Sequence, residues 1–287
     1  MDILDYAFMQ RALIAAALVG ITAPAIGTYL VQRRQALMGD GLGHVAMTGV
    51  ALGFVLQTSP VWMATLVAVV GAVGMELIRA RGRTSGDVAL AMLFYGGLAG
   101  GVMIINLGGG QTASLLGSMF GSITTVATED VTAMAILAAF VLAVAIGLRR
   151  QLFAVCQDEE FARVTGLPVR ALNLLIAVTA AVTVTVAMRI VGLLLVSAML
   201  VIPVAAAQRL TRSFATTLGL AMAISVTVSL TGTAATYYIN VPSGATIVLL
   251  AIGVFMVLTA LSAPLARRRA KAALAVEEVC TRDDVKV

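Results

Sequence analysis

Two side chains in this sequence have the types and spacing for chemistry: Asp40 and the only histidine, His44, within "ALMGDGLGHVAMTGVALGF" (residues 36–54). On a helix, positions i and i+4 share a face, so a carboxylate oxygen and an imidazole nitrogen at this spacing can reach one ligand. Both are competent donors for zinc or manganese. Their surroundings are apolar or glycine, and an ionisable group in such a setting commonly faces a bundle interior or a water-filled path. Counting from Arg34 at ~1.5 Å per residue, His44 is expected about 15 Å along its helix, near the middle of a bilayer. The competing reading is that Asp40, a good N-cap residue, starts the helix while His44 hydrogen-bonds a neighbouring one. One chain offers too few ligands to close a site. Two copies around a two-fold axis would bring together a pair of aspartates and a pair of histidines.

The elements that must position this pair are membrane spans. Hydrophobic residues make up 60% of the 287 and charged residues 11%, whereas soluble domains run near a quarter charged. A spanning helix needs about 20 mostly apolar residues, and the chain divides into about nine such stretches. They fall roughly at 11–32, 38–57, 61–79, 88–106, 130–148, 171–188, 190–208, 214–236 and 244–263. The expected fold is an all-α integral membrane protein with about nine transmembrane helices, or eight if one segment is re-entrant. Residues 1–266 read as a single polytopic domain and 267–287 as a charged cytoplasmic tail. The start, "MDILDYAFMQ", is acidic, and the apolar run from Ala12 is too long for a signal-peptide core, so the first span is expected to stay.

The formal charge of +5 points to membrane orientation rather than to a nucleic-acid partner. Apart from Arg11 and Arg189, every Lys and Arg falls in alternate loops or the C-terminal tail. By the positive-inside rule this places the N-terminus outside and the C-terminus in the cytoplasm. Cys156 and Cys280 lie in charged segments and read as free, reduced thiols. "LGGGQ" (107–111) superficially resembles an ATPase signature loop, but the chain lacks GxxxxGK[ST], so a glycine-rich outer loop is the better reading. No nucleophile accompanies the single histidine, which leaves transport, not catalysis, as the expected class.

Further segments carry weaker signals. "CQDEEFARVTGLPVR" (156–170) reads as a short amphipathic cytoplasmic helix, opened by Asp158, Glu159 and Glu160 and stopped by Gly166 and Pro168. Such a helix is either a docking surface or a solvated turn. Pro203 interrupts the span 190–208 and is a kink or gating candidate. "NVPSGATIVLL" (240–250) reads as a turn entering the last span. Glu76 is expected to pair with Arg79 on its own helix face, and Arg189 marks either the outer edge of two spans or a buried pairing.

Taken together, these segments resemble the membrane permease subunit of zinc/manganese/iron ABC importers. The span-opening signature keeps Gly39, Asp40, His44, Gly49, Ala51, Leu52, Gly53 and Phe54. The family's cytoplasmic element matches Asp158, Glu159, Ala162 and Gly166, and its proline-bearing span matches Val191 to Ala207. "LLGSMFGSITTVATEDV" (115–131) and "PSGATIVL" also fit, so the likeness runs from Ala36 to about Phe255. Three residues depart from it: Gly41 and Gly43 replace an alanine and a serine, and Thr48 stands where proline is frequent.

The resemblance implies a permease of the prokaryotic plasma or inner membrane that encloses a translocation path as a dimer, a homodimer by expectation. It implies a cytoplasmic ATPase docked on the coupling helix Asp158 to Gly166, with ATP bound on that separate chain, and an extracytoplasmic metal-binding protein that delivers the ion. It assigns Asp40 and His44 as ligands of the transported Zn²⁺ or Mn²⁺, with Fe²⁺ as a further candidate, and no permanently bound cofactor. The rival classes are a permease for an iron chelate or a cobalamin-like substrate, a proton-coupled secondary transporter with Asp40 as carrier, and a membrane scaffold.

Overall fold

The computed structural model describes residues 6–81, 86–108, 126–239 and 241–261. Within them the chain forms α1 (Ala7–Gln32), α2 (Met38–Val55), α3 (Pro60–Ala80), α4 (Gly86–Leu107), α5 (Thr128–Gly147), α6 (Arg149–Gln157), α7 (Glu159–Val164), α8 (Val169–Val191), α9 (Leu193–Leu210), α10 (Phe214–Ile239) and α11 (Ser243–Leu261). The long helices coincide with the nine expected apolar stretches, and eight of them are long and apolar enough to cross a bilayer. The exception is α2, whose 18 residues include Asp40, His44 and a run of glycines that dilute its apolarity. The segment 115–125, the glycine-rich stretch from 109, Cys280 and the basic tail lie outside the described residues.

Burial sorts the helices into an inner and an outer set. In the most apolar 18-residue window, 72% of α1 and 67% of α8 is buried, against 28% for α3, α4 and α5 and 17% for α11. The inner helices therefore face protein, and the outer ones leave Leu66, Val70, Met92, Met103, Leu249 and Met256 exposed. In lipid no hydrophobic drive joins helices, so close backbone approach and packing must do so. Tyr29 of α1 is fully buried; its hydroxyl donates to the Ala145 carbonyl of α5 and its ring meets Phe214 at 5.1 Å.

The glycine-rich sequence of α2 and α4 makes the crossings around the polar pair possible. A β-carbon on Gly97 of α4 would lie 2.5 Å from the Val45 nitrogen and 2.7 Å from the His44 carbonyl carbon. One on Gly49 of α2 would lie 2.5 Å from the Ala64 α-carbon of α3. Matching of Gly97 with Val45 and of Gly108 with Val55 shows α2 and α4 running parallel, and matching of Gly49 with Ala64 and of Gly53 with Pro60 shows α3 running antiparallel to them. Gly43 explains one departure from the family signature: a side chain there would overlap the Leu193 side chain of α9. At Gly41 a β-carbon would press on Leu93 of α4 at 3.2 Å. At both positions the obstacle is the tip of a leucine side chain rather than backbone, so a larger residue needs that leucine of α4 or α9 to turn aside.

Candidate functional site

The turn between α1 and α2 decides where the pair sits. Gln35 N donates to Leu30 O (2.8 Å) and Arg34 N to Val31 O (3.0 Å), with Arg34 at φ 59°, so the chain closes α1 tightly and restarts at Met38. His44 is six residues past Met38, about 9 Å into α2 at ~1.5 Å per residue. This corrects the expected 15 Å, because residues 34–37 form a turn and contribute little rise.

Asp40 does not cap the helix. The N-cap is Leu37, with no side-chain cap, and Asp40 stands in the first turn, where its charge favours the positive helix end. Asp40 Oδ1 instead accepts from Ser197 Oγ of α9 at 3.3 Å and lies 4.0 Å from His44 Nε2. Two ligands each ~2.1 Å from one metal ion stand about 3.4 Å apart in tetrahedral geometry and at most ~4.2 Å apart. The pair thus needs only a small closure to share an ion.

The two side chains differ in exposure. The Asp40 side chain is 37% exposed and that of His44 is 6%. Asp40 opens into a cleft of about 390 Å³ lined also by Leu37, Leu90, Ala91, Phe94 and Tyr95. Deeper in, the His44 ring meets Phe94 edge-on with centroids 4.3 Å apart. His44 Nδ1 is buried with no hydrogen-bond partner among the described residues, which contradicts the expectation that the ring is held by a neighbouring helix. No group of three or more His, Cys, Asp or Glu converges among the described residues.

The segment 156–170 holds the short helix expected there, α7. An unforeseen helix, α6, precedes it, burying Leu152, Val155 and Cys156 at helical spacing. Asp158 then caps α7, accepting from Glu160 N (2.9 Å) and Phe161 N (3.0 Å). Gly166, at φ 82°, closes α7 as its N–H donates to Arg163 O (3.1 Å) while Leu167 N reaches Ala162 O (3.1 Å). Ala162 is fully buried beneath the helix, whereas Phe161 and Val164 are 64% and 87% exposed.

Glu159 ties this short helix to the spans. Its Oε1 accepts from Arg79 (2.6 Å), Asn173 (3.2 Å) and Arg33 (3.3 Å), drawing together the ends of α3, α8 and α1. Glu76 pairs with Arg79 at 2.8 Å, as the i,i+3 spacing predicts, and also lies 3.7 Å from Arg33. Partial burial raises the Glu159 carboxyl, but the Arg79 hydrogen bond and the Arg79 and Arg33 charges outweigh it and hold the carboxyl below its ordinary value. Burial pushes the Cys156 thiol up to about 12. At the opposite end of the bundle Arg189 pairs with Asp130 at 3.2 Å, and Asp130 also accepts from Ala127 N. Pro203 is buried within α9, which continues through it to Leu210.

Sequence reasoning missed Ser197, Asn173 and Arg33. Each is a polar residue on or at the edge of an apolar helix, a visible signal, but the partner in every case comes from a distant part of the chain.

Residues 5–262 match the ABC 3 transport family. The "Manganese transport system membrane protein MntC" of Halalkalibacterium halodurans is 32% identical over 88% of this chain and 87% of its own. A "Probable metal transport system membrane protein" of Treponema pallidum is also 32% identical, over 90% of this chain and 97% of its own. Among solved structures, PsaBC from Streptococcus pneumoniae in complex with Fab superposes with a TM-score of 0.79 at 30% identity, covering 89% of this chain and 92% of that one. With the family matched across nearly all of its helices, the chain belongs to the ABC 3 transport family, as a multi-pass cell-membrane permease subunit that is itself no enzyme.

Proposed function

We propose that this chain is the permease of an ATP-driven importer that moves a divalent transition-metal ion into the cytoplasm, working as two copies around the path. The observation that carries the reading is Asp40 at the wall of a cleft with the buried His44 4.0 Å from it on the same helix face. The relatives named for manganese and metal transport support the same cargo class. One carboxylate and one imidazole from each copy suit manganese or zinc, with iron as a third candidate.

In this account the ion arrives from an extracytoplasmic binding protein and meets His44 first, which lies one turn farther than Asp40 from the start of α2 at the basic Arg33–Arg34 end. The more exposed Asp40 then stands on the side of release, and the partner copy supplies the same pair. Few ligands suit a path, since the ion must bind well enough to enter and weakly enough to leave. A separate ATPase docks on α7 through the exposed Phe161 and Val164. Its motion passes to the spans through Glu159, because a rigid charge-assisted network moves α1, α3 and α8 with the helix. Asp158, Ala162 and Gly166 hold α7 in shape, and Pro203 supplies the local give in α9.

Proteoliposomes containing the chain, its ATPase and the binding protein test this reading. ATP-dependent Mn²⁺ or Zn²⁺ uptake should disappear in Asp40→Ala and His44→Ala while the assembled complex is still recovered. Undiminished ion uptake in both variants would favour a chelate permease. Uptake by this chain alone without ATP would point to a proton-coupled carrier.

A further inference from the structure

A second cleft, of about 430 Å³, opens at the basic end of the bundle between α3, α7 and α8. Arg79, Arg81, Arg163 and Arg170 line it together with only two acids, Glu76 and Glu159. Both acids are already engaged by Arg79 and Arg33. Arg81, Arg163 and Arg170 line this one cavity and make no ion pair among the described residues. Nothing in the transport account uses them.

The rest of the wall is apolar, and it leads into the membrane. Leu77 and Leu174 line the cleft, and the exposed face of α3 continues from Leu77 through Val70 to Leu66. Val70 and Leu66 are i,i+4 neighbours on that face and Leu77 lies two turns on, so they form one stripe at helical spacing. Asn173, 4% exposed, also lines the cleft, and its Oδ1 has no donor among the described residues. A hydroxyl-bearing headgroup would bring one.

We propose that this cleft binds the phosphate headgroup of an anionic phospholipid, gripped by Arg81, Arg163 and Arg170, with the acyl chains lying along Leu77, Val70 and Leu66 of α3. Basic pockets between spans on the cytoplasmic side are suited to such headgroups, and guanidinium forks match phosphate oxygens. The apolar stripe separates a lipid from free phosphate, which would gain nothing from it. Bound there, the lipid bridges α3, α7 and α8 and stiffens the region through which α7 meets the spans. The site does not depend on which ion is transported.

The test uses the full chain in nanodiscs of mixed phosphatidylglycerol and phosphatidylcholine, with lipid retained after extraction counted by native mass spectrometry. Wild type should retain phosphatidylglycerol in preference to phosphatidylcholine. The Arg81→Gln/Arg170→Gln variant should lose that preference by roughly thirty-fold, at the ordinary worth of a surface arginine toward an anionic lipid. Arg81→Lys/Arg170→Lys should restore most of it, which separates lost charge from misfolding. Millimolar inorganic phosphate should leave the bound lipid in place. Equal retention of the two lipids, unchanged preference in the glutamine variant, or displacement by inorganic phosphate would each overturn the proposal. So would a glutamine variant that keeps its phosphatidylglycerol but no longer binds the ATPase, since the arginines would then serve the protein contact.

Discussion

Replacing Gly97 with alanine should force α4 away from α2 at His44. The new β-carbon would start 2.5 Å from Val45 N, whereas ordinary contact begins at 3.4 Å. Both partners are backbone, so no side-chain rotation can relieve the clash and the two helices must part. Overpacking of this kind costs ~1–3 kcal/mol, and the better helix propensity of alanine returns up to ~1 kcal/mol. A net loss of about 1–2 kcal/mol corresponds to an apparent unfolding midpoint lower by roughly 2–8 °C for a chain of this size. Gly43→Ala is the matched control on the same site. There the obstacle is the tip of Leu193, which can rotate, and the propensity gain is equal. Its midpoint should therefore stay near wild type. The two midpoints would be read by far-ultraviolet circular dichroism in detergent, alongside ion uptake. Because α4 carries Phe94 against the His44 ring, uptake should fall further in Gly97→Ala than in Gly43→Ala. A Gly97→Ala protein with wild-type stability, or a Gly43→Ala protein that loses more, would refute the view that this crossing fixes α2.

Other consequences are direct. Glu159→Gln should weaken the α7 network by about 1–3 kcal/mol, between the worth of a surface pair and that of a buried one because the group is partly exposed, seen as reduced ATPase co-purification. The Glu159 carboxyl is held below its ordinary value, so its contribution is complete above ~4.3 and is lost as pH falls below that. Acid titration should accordingly separate wild type from Glu159→Gln above this region and bring them together beneath it. Gly166→Ala places a β-carbon in open space but at φ 82°, so it should cost only the left-handed strain, about 1 kcal/mol or 2–4 °C. Cys156, buried with its thiol pushed up to about 12, should resist iodoacetamide at neutral pH until the protein unfolds, which peptide mapping after timed alkylation would show. Ser197→Ala should weaken apparent ion affinity by roughly three- to ten-fold through loss of one hydrogen bond to Asp40, measured as the half-saturating concentration for uptake.

What could be read from the sequence was what is local. Each long helix is an apolar run, and Asp40 with His44, or Glu76 with Arg79, are neighbours through helical spacing alone. The helix α6 escaped notice because Leu152, Val155 and Cys156 are too few, and too close to Arg149 and Arg150, to mark a buried face. The joining of Arg33, Arg79, Glu159 and Asn173 depends on how four helix ends meet, which no window of sequence contains. The same holds for Arg189 with Asp130 and Ser197 with Asp40. Gly43 shows the limit most clearly: as a departure from the family signature it had no meaning until Leu193 of α9 was found packed against it. Asp40 was the reverse case, a residue that looked like a cap and proved free to face a cleft.

The claim that Asp40 and His44 form half of a shared ion path is tested most directly by counting metal. The purified permease–ATPase complex would be loaded with Mn²⁺, separated from free ion, and assayed for metal and protein by elemental analysis. Tight binding of one ion per two permease chains, lost in both Asp40→Ala and His44→Ala, is the predicted result. One ion per single chain, or an unchanged ratio in the two variants, would contradict it.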